Sequence, residues 1–69
     1  MNIQQAIEKA RVIEIISGEG EMGNVHIFYG KRTERALKIR ITKERCGGRF
    51  CYAKIDGEKL YLTDDGLTF

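Results

Sequence analysis

The clearest period-two alternation in the chain runs from Ala36 to Lys43. Leu37, Ile39 and Ile41 fall on one side and Lys38, Arg40 and Thr42 on the other, the pattern of a half-buried strand. Cys46-Gly47-Gly48-Arg49 follows, and then Phe50-Cys51-Tyr52-Ala53-Lys54-Ile55. A glycine pair between two alternating segments predicts a hairpin over Arg35 to Ile55, because glycine reaches the positive φ that a tight turn requires.

The flanking segments build on this hairpin. Asn2 can cap a short helix in which Ile3, Ala6, Ile7 and Ala10 share one side. Val12-Ile13-Glu14-Ile15-Ile16 is β-branched and predicts a strand after a helix ending near Ala10, with a helix running on to Ser17 as the alternative. Gly18-Glu19-Gly20-Glu21-Met22-Gly23 reads as a glycine-rich turn before a second strand, Val25-His26-Ile27-Phe28-Tyr29. Asp56-Gly57 predicts a tight turn into a last strand, Lys59-Leu60-Tyr61-Leu62-Thr63, which Asp64-Asp65-Gly66 ends. Leu67 and Phe69 are apolar enough to fold back on the core. The expected fold is α+β and mainly β: a short N-terminal helix with a four- to five-stranded antiparallel meander or small half-barrel.

Length limits what such a fold can do. A chain of 69 residues makes a single compact domain over 1–69 with a small core, and its expected stability is on the order of 3–10 kcal/mol. An enclosed, water-excluding active site is hard to build from so little chain, and no Ser/His/Asp or Cys/His set is placed within reach of a common centre. The expectation is a protein that is not an enzyme. No cofactor is implied, and the single His26 with Cys46 and Cys51 is too little for a metal site. The two cysteines lack C-x-x-C spacing and read as free thiols, diagonal neighbours if Gly47-Gly48 is the turn. No apolar run is long enough to span a membrane, and Met1 to Gln5 lacks the features of a signal peptide; a cytoplasmic address is expected.

Charge changes the picture more than composition does. Residues 1–30 carry two basic against four acidic side chains, and 50–69 the same. Between them, residues 31–49 carry eight basic against two. The candidate binding set is therefore Lys31, Arg32, Arg35, Lys38, Arg40, Lys43, Arg45, Arg49 and Lys54 with the aromatics Phe50 and Tyr52. If Leu37, Ile39, Ile41, Cys51, Ala53 and Ile55 face the core, then Lys38, Arg40, Phe50, Tyr52 and Lys54 share the outer face. Rings that stack on bases beside cations that meet phosphates suit single-stranded nucleic acid. With the opposite facing of the Phe50 strand, the cations are a solvated edge that discourages aggregation.

Two motif resemblances bear on this. Phe50 to Ile55 is loosely similar to the second half of an RNP1 motif, with Arg49 where that motif has glycine. Gly18-Glu19-Gly20-Glu21-Met22-Gly23-Asn24-Val25 fits G-x-G-x-x-G-x-V and resembles the Gly-rich loop of protein kinases, with Ala36-Leu37-Lys38-Ile39 resembling the V-A-I-K strand. That resemblance covers residues 18–39 and implies phosphate contacts from Gly18, Gly20, Gly23 and Lys38. Nothing similar to H-R-D or D-F-G follows, so phosphoryl transfer is not expected, and nucleotide phosphate binding stays a remote alternative. The main expectations are a nucleic-acid-binding module or, alternatively, a protein-interaction module of the size of phage or mobile-element inhibitors and adaptors, docking the same basic face on an acidic protein surface. An exposed strand edge would also allow a homodimer.

Overall fold

The computed structural model describes residues 2–19 and 22–69. Two helices, α1 (Ile3–Lys9) and α2 (Glu34–Cys46), accompany five strands: β1 (Ile13–Glu19), β2 (Met22–Ile27), β3 (Phe50–Ile55), β4 (Glu58–Thr63) and β5 (Gly66–Thr68). All neighbours are antiparallel, in the order β2-β1-β3-β4-β5. The fold is α+β and mainly β with a short N-terminal helix, as the alternating segments predict.

The first arm of the predicted hairpin is a helix. Ala36 to Lys43 lies inside α2, and Gly47-Gly48 closes that helix instead of turning a hairpin. Thr33 is its N-cap, accepting a hydrogen bond at Oγ1 from the Ala36 N–H at 3.1 Å. Glu34 stands in the first turn and Lys43 and Arg45 in the last, as the helix dipole favours. Arg40 and Glu44 pair at 3.6 Å one turn apart. The period-two reading fails because Leu37 and Ile41 are also spaced by four; they are buried on one helical stripe while Ile39 stands 57% exposed. The sheet is accordingly not a simple meander, since α2 carries the chain from β2 across β1 to β3, which pairs with β1. The second strand also lies earlier than expected, at Met22–Ile27, and leaves Tyr29 90% exposed.

Both helices cover one face of the sheet. Ala6, Ile7 and Ala10 from the α1 segment and Leu37 and Ile41 of α2 meet Ile13, Ile15, Cys51, Ala53, Ile55, Leu60 and Leu67, with Phe28 and Leu62 packed against the margin. Leu67 thus joins the core, through β5, a strand that was expected only as an apolar tail; Phe69 remains half exposed. An Asn2–Gln5 capping box starts α1. Gln4 then ties α1 to α2: its Oε1 accepts from the Glu34 N–H at 2.9 Å and its Nε2 donates to the Arg32 carbonyl at 3.3 Å.

The predicted Asp56-Gly57 turn is present, with φ of 49° and 88°, the two positive values a type I′ turn needs. Asp56 also has a tertiary role, because its carboxylate accepts from the Arg11 N–H at 3.0 Å and the Val12 N–H at 2.9 Å. It thereby pins the α1–β1 connection to the β3–β4 turn. Asp56→Ala is expected to cost about 1–2 kcal/mol by orphaning these donors and placing alanine at positive φ. Asp56→Asn, which keeps one acceptor and tolerates that backbone, should cost less in a urea unfolding series.

Candidate nucleic-acid interface

Alternation along the strands decides what the uncovered face presents. Because Cys51, Ala53 and Ile55 are buried against the helices, Phe50, Tyr52 and Lys54 project from the other side. On β1 the same rule places Ile13 and Ile15 inward and Glu14, Ile16 and Gly18 outward. Cross-strand pairing extends the rows: Gly18 is opposite both Gly23 and Phe50, Ile16 opposite Val25 and Tyr52, and Glu14 opposite Ile27 and Lys54. On β4, Leu60 is buried and Lys59 and Tyr61 point outward.

The aromatic groups form the centre of this face. The Phe50 and Tyr52 rings are stacked with centroids 6.5 Å apart and planes inclined by 23°. The Lys59 ammonium lies 4.3 Å from the Tyr52 centroid and 5.0 Å from that of Tyr61, a cation–π arrangement shared by two rings. Lys59 is also directly opposite Lys54. Like charges opposed across a ladder repel, and Glu14, across from Lys54 on β1, offsets only part of that field. Two lysines beside the half-buried Tyr52 ring and the exposed Tyr61 ring therefore make an electrostatically unsatisfied spot that an anion would relieve.

Strand splaying adds a cleft. The β3–β4 ladder holds Ala53, Lys54 and Ile55 against Leu60, Lys59 and Glu58, after which β4 pairs with β5. The Phe50–Tyr52 half of β3 lies beyond its register with β4, and Arg45 Nε donates to the Cys51 carbonyl there at 3.0 Å. The resulting shallow cleft is lined by Arg45, Tyr52, Lys59 and Tyr61 among others.

Most of the predicted cations are elsewhere. Lys31 and Arg32 are in the connection before α2, while Arg35, Lys38, Arg40 and Lys43 are on α2, on the opposite side of the sheet from Phe50 and Tyr52. Arg45, in the last turn of α2, reaches the sheet border at the Cys51 carbonyl. Lys38 and Arg40 therefore do not share a face with the aromatics, because both belong to a helix packed over the inner side of β3. Several have intramolecular partners: Arg32 donates to the Ala10 carbonyl, and Arg40 and Arg49 both reach Glu44, at 3.6 and 3.4 Å. Of the predicted set, only Phe50, Tyr52 and Lys54 are brought together on the open face, with Arg45 at its border. Lys59 and Tyr61 were outside the predicted set; the Lys59-Leu60-Tyr61-Leu62 alternation, once Leu60 is assigned inward, is the signal that finds them.

The glycine-rich segment has a packing role. Gly18 and Gly23 are in β1 and β2, directly opposed, while Gly20 and Glu21 lie outside the described residues. A Cβ on Gly23 would come within 2.8 Å of Phe50 Cζ and 3.1 Å of Ile16 Cγ2, so the missing side chain makes room for the ring. Lys38, on α2, is not on the strand that the kinase resemblance requires.

The thiols differ in environment. Both are free, Cys46 exposed on α2 and Cys51 buried. Burial pushes the Cys51 thiol up, the Glu44 carboxylate adds to this, and Arg45 and Arg40 oppose it. Ellman's reagent at pH 8 should therefore titrate one thiol rapidly in the folded protein and both in denaturant. Since the folded pKa lies above the unfolded one, the stabilising contribution of neutral Cys51 is complete below the ordinary thiol range. It is lost as pH rises through that range to the folded value.

Among the described residues no cluster of three or more His, Cys, Asp or Glu could hold a metal ion, and no helix is long and apolar enough to cross a membrane. No family model matches the chain, and neither a curated protein nor a solved structure is significantly similar to it.

Proposed function

We propose that this protein is a non-catalytic binding module whose open sheet face takes single-stranded nucleic acid. The observation that carries this reading is the Phe50–Tyr52 stack bordered by the opposed lysines, with Lys59 shared between Tyr52 and Tyr61. Bases would stack on the rings, and Lys54 and Lys59 would meet the phosphates on either side. The two strand lysines form a much smaller electrostatic footprint than the whole basic segment. With two phosphate contacts the salt slope of log K is about −1.4 for a single strand; all nine predicted cations would give about −6. Anisotropy titrations of labelled single-stranded and duplex oligonucleotides at several salt concentrations test the reading. Binding to the single strand with the shallow slope supports it, and no binding even at low salt overturns it.

A protein partner is the second reading, and a different surface favours it. The outer side of α2 presents half-exposed Ile39 among Glu34, Arg35, Lys38, Thr42 and Lys43, which line a shallow depression. An apolar contact bordered by three cations and a single carboxylate suits a mainly acidic protein surface.

A further inference from the structure

The two outer strands of the sheet are treated differently. At β5, Glu34 of α2 reaches over the edge, and its Oε1 accepts from the Leu67 N–H at 3.3 Å. At β2 the ladder simply stops. The Phe28 N–H donates to the Ile13 carbonyl at 2.8 Å, so in this ladder the even-numbered residues of β2 turn their backbone groups toward β1. Gly23, Val25 and Ile27 turn theirs outward. Natural edges are blunted by charge, proline or a covering element; Met22–Ile27 contains no Lys, Arg, Asp, Glu or Pro. Val25 and Ile27 are instead 61% and 45% exposed beside buried Ile16.

We propose that β2 is a dimerisation edge: two copies pair β2 with β2, antiparallel, about a two-fold axis at Val25. This register engages every outward backbone group of the strand, and it is self-complementary. Val25 meets Val25 of the second copy, the bulky Ile27 faces Gly23, and Asn24 faces His26, two side chains that can hydrogen-bond. The absence of formal charge on β2 selects the same occupant, since self-pairing brings no like charges together and a charged strand would find no counter-charge. Pairing joins two five-stranded sheets with their open faces on the same side. Six residues per copy bury less than the roughly 1,200 Å² of a standard interface, so the dimer forms reversibly and at high concentration. Dimerisation through β2 does not require the open face to bind nucleic acid.

Sedimentation velocity of the full chain, from roughly 10 µM to roughly 1 mM, reads the association directly. The expected result is a concentration-dependent shift toward twice the monomer mass. Val25→Lys, at an exposed position, should raise the midpoint at least about tenfold without changing the melting temperature. In a Cys46→Ser background, Val25→Cys should oxidise to a covalent dimer, since opposed hydrogen-bonded residues have Cα atoms about 5.5 Å apart. A monomer across the whole range, or a dimer insensitive to Val25→Lys, would overturn the proposal. If the lysine variant does not fold, amide exchange of the parent protein decides. Slowing of the Gly23, Val25 and Ile27 amides with concentration supports the edge, and rates independent of concentration refute it.

Discussion

Leu37→Ala is expected to leave the protein close to its unfolding midpoint at 25 °C, whereas Ile39→Ala, two residues away, should be nearly silent. Leu37 is 0% exposed at the centre of the core, among the largest fully buried side chains of the described residues. Truncating it removes its transfer free energy and leaves a cavity, a loss of about 2–5 kcal/mol. That is comparable with the whole stability expected of a 69-residue domain, on the order of 3–10 kcal/mol. Ile39 is 57% exposed on the outer side of α2, and its truncation should fall within about 0.5 kcal/mol of the parent. Urea unfolding of both variants measures the contrast. Equal losses would contradict the helix, because only a strand buries Leu37, Ile39 and Ile41 together.

Tyr52→Ala should weaken single-strand binding by roughly 5- to 150-fold, the equivalent of about 1–3 kcal/mol for one lost stacking contact. Tyr52 is the ring in contact with both neighbours, 6.5 Å from Phe50 and beneath the Lys59 ammonium, so its removal also frees Lys59 from half of its cation–π arrangement. Lys54→Glu with Lys59→Glu should weaken binding strongly, and any binding that remains should depend little on salt. Lys38→Glu with Lys43→Glu, which inverts charge on α2, should cause only a modest loss through the general field. The opposite ranking, with the α2 variant more damaging than Tyr52→Ala, would transfer the site to α2 and favour the acidic protein partner. Each variant keeps the core intact, so circular dichroism can confirm the fold before binding is compared.

The elements readable from sequence were those set by local chemistry. Asn2 caps α1, Asp56-Gly57 makes a tight turn, and alternation over Phe50–Ile55 predicts a strand. These features depend on neighbours within a few residues, where backbone preference and side-chain period act directly. The facing of that strand, with Cys51, Ala53 and Ile55 inward, came from the packing of the helices. Leu37 to Ile41 had two periods available, because residues at i, i+2 and i+4 satisfy a strand while i and i+4 satisfy a helix. The Thr33 cap, the helix-forming residues around Lys38 and the Gly47-Gly48 stop were present in the sequence and favour the helix.

What only the tertiary structure decided is which residues share a face. The basic segment is contiguous in sequence, yet α2 carries its cations over the inner side of β3, while Lys59 and Tyr61 arrive beside Tyr52 from a later strand. Likewise, the free edge at β2 and the covered edge at β5 follow from strand order and from Glu34 reaching Leu67, across 33 residues of chain. Local pattern determined the strands and turns because short-range sterics and periodicity suffice for them. Long-range pairing and the burial it permits then ordered the strands and assembled the open face.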